Sequence, residues 1–430
     1  MRVLCLYNST QTYTNTVYEH LNCFAKYSKF TWSYLHWTKL SKLNININSY
    51  DIVVLHYSVR LPFNQVDEKT CKILSSSSAL KVLFIQDEYD HTNLAKYYIK
   101  HIGFDLVFSV VPEKSLDFIY PPRDFPGTRF INNLTGYIPD GFEDSISKDL
   151  MPPSKRDIFI GYRGRPLSIR YGQLGIEKVS IGKITKKYCQ KLGINYDIEW
   201  SEENRIYGPK WYEFLAQCKS MLGSESGSNV FDVNGDLEEK IRLFRRRSLF
   251  AKSNDIYEKI IKPLEIDGIM NQISPRIFEM AASRVAMVLF EGEYSGVINR
   301  NEHFIELKKD FSNILEVFEK LRDDDYINKM TNKAYEDIIL SGKYTYKNFV
   351  KFVDEELSKA FLYKGISLQP QSFDEDMNVT TSPVRSKPPP MSGVTISPLV
   401  IFGKLIRILW NTLPENIKPI LKKYLLRRSP

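Results

Sequence analysis

Residues 274–283 read "SPRIFEMAAS" and run directly into residues 284–292, "RVAMVLFEG". The second stretch is a near-continuous apolar run ending at a glycine, the pattern of a strand buried on both faces. The first has helical spacing, with Ser274 as a good N-cap and Pro275 suited to the first helical position. Two charges interrupt it. Arg276 falls in the first turn, where a cation opposes the helix dipole unless an anion lies nearby. Glu279 follows on the same face, among Ile277, Phe278, Met280 and Ala281, so its carboxylate must face a cleft or find a partner. A helix N-terminus with free N–H groups suits a phosphate, and a carboxylate one turn along can accept hydrogen bonds from two adjacent hydroxyls. The alternative is an ordinary i, i+3 Arg–Glu pair, worth about 0.2–0.5 kcal/mol.

Outward from this helix–strand unit the chain alternates. "MRVLCLY", "FTWSYLHW", "YDIVVLHYS", "LKVLFIQDEY" and "FDLVFSVV" are strand-like, and "TVYEHLNCFAKY" and "HTNLAKYYIKHIG" are helical between them. The Pro- and Gly-rich "YPPRDFPGTRFINNLTGYIPDGFED" reads as a junction. A second alternation starts at "RDIFIGYRGR" and passes through "KVSIGKITKKYCQKLG" (strand-like, then helical), "YDIEW", "KWYEFLAQC" and "KSMLGSESG". Strands alternating with helices imply βαβ units and parallel sheets. The fold class expected is α/β with two Rossmann-like domains, at 1–140 and 155–342. A helical insert is expected at 236–270 and a closing helix at 343–363, crossing back to the first domain. Residues 364–397, rich in Ser, Thr and Pro, read as a disordered linker.

The net charge of +8 is unevenly placed: residues 398–430 hold seven basic side chains and one acidic, leaving the rest of the chain near neutral. A general nucleic-acid surface would spread its charge over the fold, so no nucleic-acid partner is expected. Leu399, Phe402, Ile406 and Leu409 keep helical spacing against Lys404 and Arg407, which fits an anionic membrane surface; docking on the protein body is the alternative. The five cysteines are scattered, without a metal-site or disulfide spacing, as in a reducing cytosol. No secretory signal and no spanning segment is evident. The expected location is the cytoplasm, peripheral on the inner face of the membrane. "DVNGD" at 232–236 has its glycine misplaced for a calcium loop, and no metal or cofactor is expected. No G-x-G-x-x-G follows the first strand, which argues against a nicotinamide enzyme.

Open α/β sheets bind ligands at the carboxyl ends of their strands. That selects residues 8–12, His56 and Tyr57, and 86–89 ("QDEY") in the first domain. His56 is a candidate sugar contact. Asp87 or Glu88 could act as a base on an acceptor hydroxyl; helix capping is the competing reading.

"SPRIFEMAASRVAMVLFEGEYSG" resembles the C-terminal signature of bacterial GT-B glycosyltransferases, the group called glycosyltransferase family 1 or spore-maturation-protein-like. "HYSVRL", "FIQDEY", "GYRGRPLSIRYGQLGIEK" and "LGSESGSNVFDVNG" extend the resemblance from residue 1 to about 360. It implies a nucleotide-diphosphate sugar as donor and a glycan or lipid-linked acceptor. Glu279 matches the glutamate that holds the donor ribose, with Ser274 and Arg276 beside the donor. Arg163 and Arg165 in "GYRGR", with Lys178, match basic residues that meet the diphosphate, where cations neutralise the leaving group without a metal. Related retaining enzymes carry a second glutamate eight positions before the first; here that position is Asn271, and Glu225 is the candidate to take its role. The rivals are a nucleotide-sugar epimerase on the same fold and a non-catalytic sugar-nucleotide-binding scaffold.

Overall fold

The apolar run Arg2–Tyr7 (β1) buries every side chain after Arg2, which only a strand covered on both faces can do. Beside it run Thr31–His36 (β2), Ile52–Leu55 (β3), Leu80–Ile85 (β4), Leu106–Ser109 (β5) and Arg129–Asn132 (β6). They form one parallel sheet in the order β2-β1-β3-β4-β5-β6. Helices α1 (Asn15–Tyr27), α2 (Glu68–Ser75), α3 (Thr92–Ile102) and α4 (Glu113–Ile119) connect its strands. The computed structural model describes residues 1–387 apart from 42–44, 140, 143–145, 147–149, 249–250 and 368–377. The expected membrane-associating tail, 398–430, lies outside the described residues.

The second sheet is also parallel. Its strands are Ile158–Arg163 (β7), Tyr196–Glu199 (β8), Cys218–Gly223 (β9), Ala286–Phe290 (β12) and Phe304–Leu307 (β13), in the order β13-β12-β9-β7-β8. Between β9 and β12 the short strands Ser226–Gly227 (β10) and Asn271–Gln272 (β11) pair antiparallel. They close the base of an excursion whose helices include α7 (Leu237–Arg247) and α8 (Ser253–Ile256). Helices α5 (Gln173–Leu192), α6 (Pro209–Gln217), α9 (Arg276–Ala282), α10 (Ile314–Arg322) and α11 (Asp324–Ala334) complete this lobe. One local expectation is overturned: "KVSIG" is not a strand but the middle of α5. Its β-branched residues lose to a helix that buries Leu174, Ile181, Thr185 and Cys189 along one face.

The two connections between lobes touch each other. The amide of Ile138 donates to Tyr344 O at 2.8 Å, and the amide of Tyr346 to Ile138 O at 2.9 Å. Helix α12 (Tyr346–Lys364) then returns to the first lobe. Phe349, Val350, Val353, Leu357 and Phe361 enter one apolar cluster with Val3, Phe24, Val54, Phe84 and Phe108. At ~1.5–3 kcal/mol per fully buried side chain, this contact makes the C-terminal helix part of the first lobe's core. Ser28 Oγ and the Lys29 amide add hydrogen bonds to Asp354, at 2.7 and 2.8 Å. All five cysteines are buried free thiols. No described helix is long and apolar enough to cross a membrane.

Within the stretch expected to be a structureless linker, residues 378–386 lie on the first lobe. Val379–Thr380 (β14) pairs antiparallel with β2 and covers the sheet's outer edge.

Candidate active site

Strand β7 ends at Arg163, and the chain turns at Gly164. A Cβ there would sit 2.7 Å from the Tyr162 ring and 2.9 Å from Lys178 O. Only glycine lets this turn press against α5, and the close approach brings Arg165 and Lys178 to one place. The head of α9 supplies the third member. Arg276 bonds Arg163 O and lies 5.1 Å over the Trp211 ring. Arg165, Lys178, Arg276 and Ser274 line a cavity of about 230 Å³, together with Gly223 and Ser224 at the end of β9. Among the described residues no Asp or Glu lines it. Lys178 Nζ reaches Ser226 Oγ at 3.1 Å and Ser224 O at 3.3 Å. Burial, and after it the Arg276 charge, pull its ammonium down to about 8. Three cations without a carboxylate describe a seat for an anion.

Glu279 lies one turn along α9, half-buried. It lines neither this cavity nor the larger one that opens from it, and its charge is near enough to the first lobe to add to the burial that raises the Glu19 carboxyl. Its Oε2 accepts the Trp211 indole N–H at 2.7 Å. Its other oxygen has no hydrogen-bond partner among the described residues. Burial raises its carboxyl above the usual range, while the Trp211 bond and then the Arg276 charge oppose the rise. No ion pair joins Arg276 to Glu279, which sets aside the simple i, i+3 bridge. Ser274 does not cap α9 with its side chain either. Pro275 occupies the cap position, while Ser274 lends its carbonyl to Ile277 and lines the cavity.

A second cavity of about 700 Å³ opens from the first, sharing Arg165, Lys178 and Ser226 with it and reaching Gln11, Tyr57 and Asp87 of the first lobe. Asp87, with φ of 60°, stands in the left-handed region at the end of β4. It accepts the Tyr89 hydroxyl at 2.8 Å and pairs with Arg60 at 2.9 Å, and its carboxylate remains partly exposed. Asp90 is buried and ion-paired to Arg170 across the lobes. Its backbone bridges to Asp232 of the excursion.

Four sequence candidates leave the cleft. His56 is fully buried, 3.0 Å from His20 and 2.9 Å from Ser58 Oγ. Burial and the neighbouring His20 hold it well below the usual histidine range, so it is a neutral core ring rather than a sugar contact. Glu88 is fully buried beneath β5, accepts Ser109 Oγ at 2.6 Å, and is pushed up to about 8 by burial; it cannot reach an acceptor. Arg163 turns away to Asp197 at 2.7 Å and stacks 4.2 Å over Phe214. Glu225 is buried, its Oε1 taking the Glu293 and Tyr294 amides at 3.2 and 2.8 Å and its Oε2 the Asn271 side-chain amide at 2.6 Å. It ties β9 to the turn after β12 and lines a different cavity. Sequence reasoning had not singled out Trp211, Arg60 or Arg170. An arginine in each of "HYSVRL" and "SIRYGQ" was the available signal.

No protein-family model and no curated protein matches the chain. Among solved structures, an alpha-glucosyltransferase in complex with UDP is similar at a TM-score of 0.47 and 12% identity, over 83% of this chain and 100% of that one. Alr3699/HepE of Anabaena, in complex with UDP and glucose, is similar at 0.47 and 10%, over 84% and 100%. A glycosyltransferase from Rickettsia africae is similar at 0.43 and 10%, over 84% and 98%. None of these reaches 0.5, so the chemistry of the site stands on this chain's own residues. The chain forms two Rossmann-like lobes, with a cation-lined cavity at the carboxyl ends of the second lobe's strands.

Proposed function

We propose that the protein is a glycosyltransferase of the kind its signature resembles. It moves a sugar from a nucleotide-diphosphate donor to a glycan or lipid-linked acceptor in cell-surface polysaccharide synthesis. The observation that carries the reading is the convergence of Arg165, Lys178 and Arg276 on a cavity lined by no carboxylate. Transfer of the sugar leaves a nucleoside diphosphate, and fixed cations stabilise the charge that develops on its outer phosphate. Neutralisation by these side chains makes the transfer metal-independent in this proposal. Glu279, one oxygen held by Trp211 and the other open, accepts the ribose hydroxyls. Two first-lobe carboxylates line the large cavity among the described residues; Asp90 is buried and held by Arg170, which leaves the partly exposed Asp87 to orient or deprotonate an acceptor hydroxyl. The proposed transfer is a retaining one of a hexosyl group, and it does not draw on Glu225, whose oxygens are already taken. The basic tail holds the enzyme at the cytoplasmic face of an anionic membrane, where lipid-linked acceptors reside.

The test is a thermal-shift series on the full chain with UDP-glucose, GDP-mannose, ADP-glucose and dTDP-glucose. A donor present at about 100 times its Kd stabilises by ~2.7 kcal/mol, so one of them is expected to raise Tm by a few degrees. No rise with any of the four would remove the donor-site assignment.

A further inference from the structure

Residues 380–386, "TTSPVRS", show no periodicity and carry few apolar side chains, yet they follow the rim of the first lobe. Pro383 is buried but Val384 is 53% exposed. The segment is therefore held mainly by hydrogen bonds, to β1, β2, the loop after β1 and the start of α1, and Thr12 of that loop takes three of them. The Val384 amide donates to the Tyr7 hydroxyl at 2.9 Å. Thr12 Oγ1 accepts the Ser386 amide at 2.8 Å and lies 2.9 Å from Val384 O and 3.2 Å from Ser386 Oγ. Arg385 bonds Asn15 Oδ1 and lies 4.9 Å over the Tyr18 ring, at the start of α1. Thr12 is fully buried, so its hydroxyl has no water to replace a lost partner. Apart from the strap, its one bond is to Ser9 O at 2.7 Å.

The loop so gripped, residues 8–14, joins β1 to α1 at the carboxyl end of β1. Gln11 and Thr14, on either side of Thr12, line the large cavity. The opposite side of the loop is fixed by the Asn8 amide, which donates to Ser58 Oγ at 2.9 Å. A segment retained for stability would bury apolar surface. This one instead spends its polar groups on the end of β1, the cleft-lining loop and the start of α1, with three of the contacts on Thr12.

We propose that residues 382–386 are a positioning strap for the transfer reaction, setting the cleft-lining loop 8–14 through Thr12. The inference rests on the glycosyltransferase reading for its reaction and on the geometry alone for its loop. Donor binding is left untouched, because the cations lie on the second lobe.

The experiment uses the full chain carrying Thr12→Val, which keeps shape but loses the hydroxyl, Thr12→Ser, which keeps the hydroxyl, and Ser386→Pro, which removes from the strap the amide that donates to Thr12 Oγ1. Amide hydrogen exchange is followed at residues 9–14, and turnover of the four nucleotide sugars is followed as released nucleoside diphosphate. Thr12→Val and Ser386→Pro are each expected to speed exchange at 9–14 by about tenfold, the equivalent of one hydrogen bond. They are expected to lower turnover by a similar factor while donor KM stays within about twofold. Thr12→Ser restores both. Wild-type exchange and turnover in both disruptive variants would overturn the strap, as would a rise in donor KM that accounts for the whole loss. If the wild type consumes none of the four sugars, the function proposal fails, and the exchange at 9–14 still decides the strap.

Discussion

Lys178→Met is expected to lower nucleotide-sugar turnover by about 10²–10³-fold, the loss typical when one preorganised charge donor to a developing anion is removed. Affinity for UDP is expected to fall by roughly 10–100-fold, as for one charge-assisted hydrogen bond. The fold is expected to survive, because an ammonium held below its ordinary range is one the folded state pays to keep charged. The pH dependence carries a sign that a surface lysine would not give. With the folded value near 8 and the unfolded one at the ordinary ~10.4, the unfolded chain binds more protons between the two. Lys178 therefore costs stability below pH 8, and the cost is relieved as pH rises across that window. Anion affinity runs the other way: UDP binding to the wild type weakens as pH passes 8 and Lys178 loses its proton. Binding to Lys178→Met stays flat over the same range. Titration calorimetry of UDP at pH 7, 8 and 9 with both proteins measures the difference. An equal pH dependence in the two would show that Lys178 does not meet the phosphates.

Glu279→Gln is expected to lower kcat/KM by on the order of 100-fold, from weakened bonds to two ribose hydroxyls at ~1.5–3 kcal/mol for each charged one. Glutamine keeps an oxygen for the Trp211 N–H, so its Tm is expected to stay near wild type. Glu279→Ala leaves that buried indole N–H without its partner and is expected to lose a further ~1–3 kcal/mol of stability. The discriminating comparison is UDP against 2′-deoxy-UDP. The wild type should prefer the ribonucleotide by about tenfold, one hydrogen bond, and the variant should bind both alike. An undiminished preference in Glu279→Gln would move the ribose elsewhere.

How far these residues could be read in advance follows from what local pattern encodes. The apolar run before Gly292 and the charges at the head of α9 were legible because burial and helical spacing are written in consecutive residues. Arg165, Lys178 and Arg276 belong to three separate elements; the resemblance grouped them, and the tight turn at Gly164 explains how they meet. His56 and Glu88 were misread because position at a strand end does not tell which way the side chain points. In both cases it points under the sheet's rim, into the core. Glu225 sits in an apolar–polar turn like a catalytic residue, yet the Glu293 and Tyr294 amides that claim it lie nearly seventy residues away. Trp211 gave no signal, since an indole on a helix is ordinarily core. The segment 378–386 that carries the strap was illegible for a related reason: two paired residues and a few polar bonds leave no period, and their partners include β2 and the loop at Thr12.

The most direct test is a crystal structure of the full chain with UDP, or with whichever nucleoside diphosphate gives the largest thermal shift. The expected result places the diphosphate within about 3 Å of Arg165, Lys178 and Arg276, with the ribose hydroxyls on the open oxygen of Glu279. A nucleotide bound away from that cavity, or one whose phosphates meet none of the three cations, would contradict it.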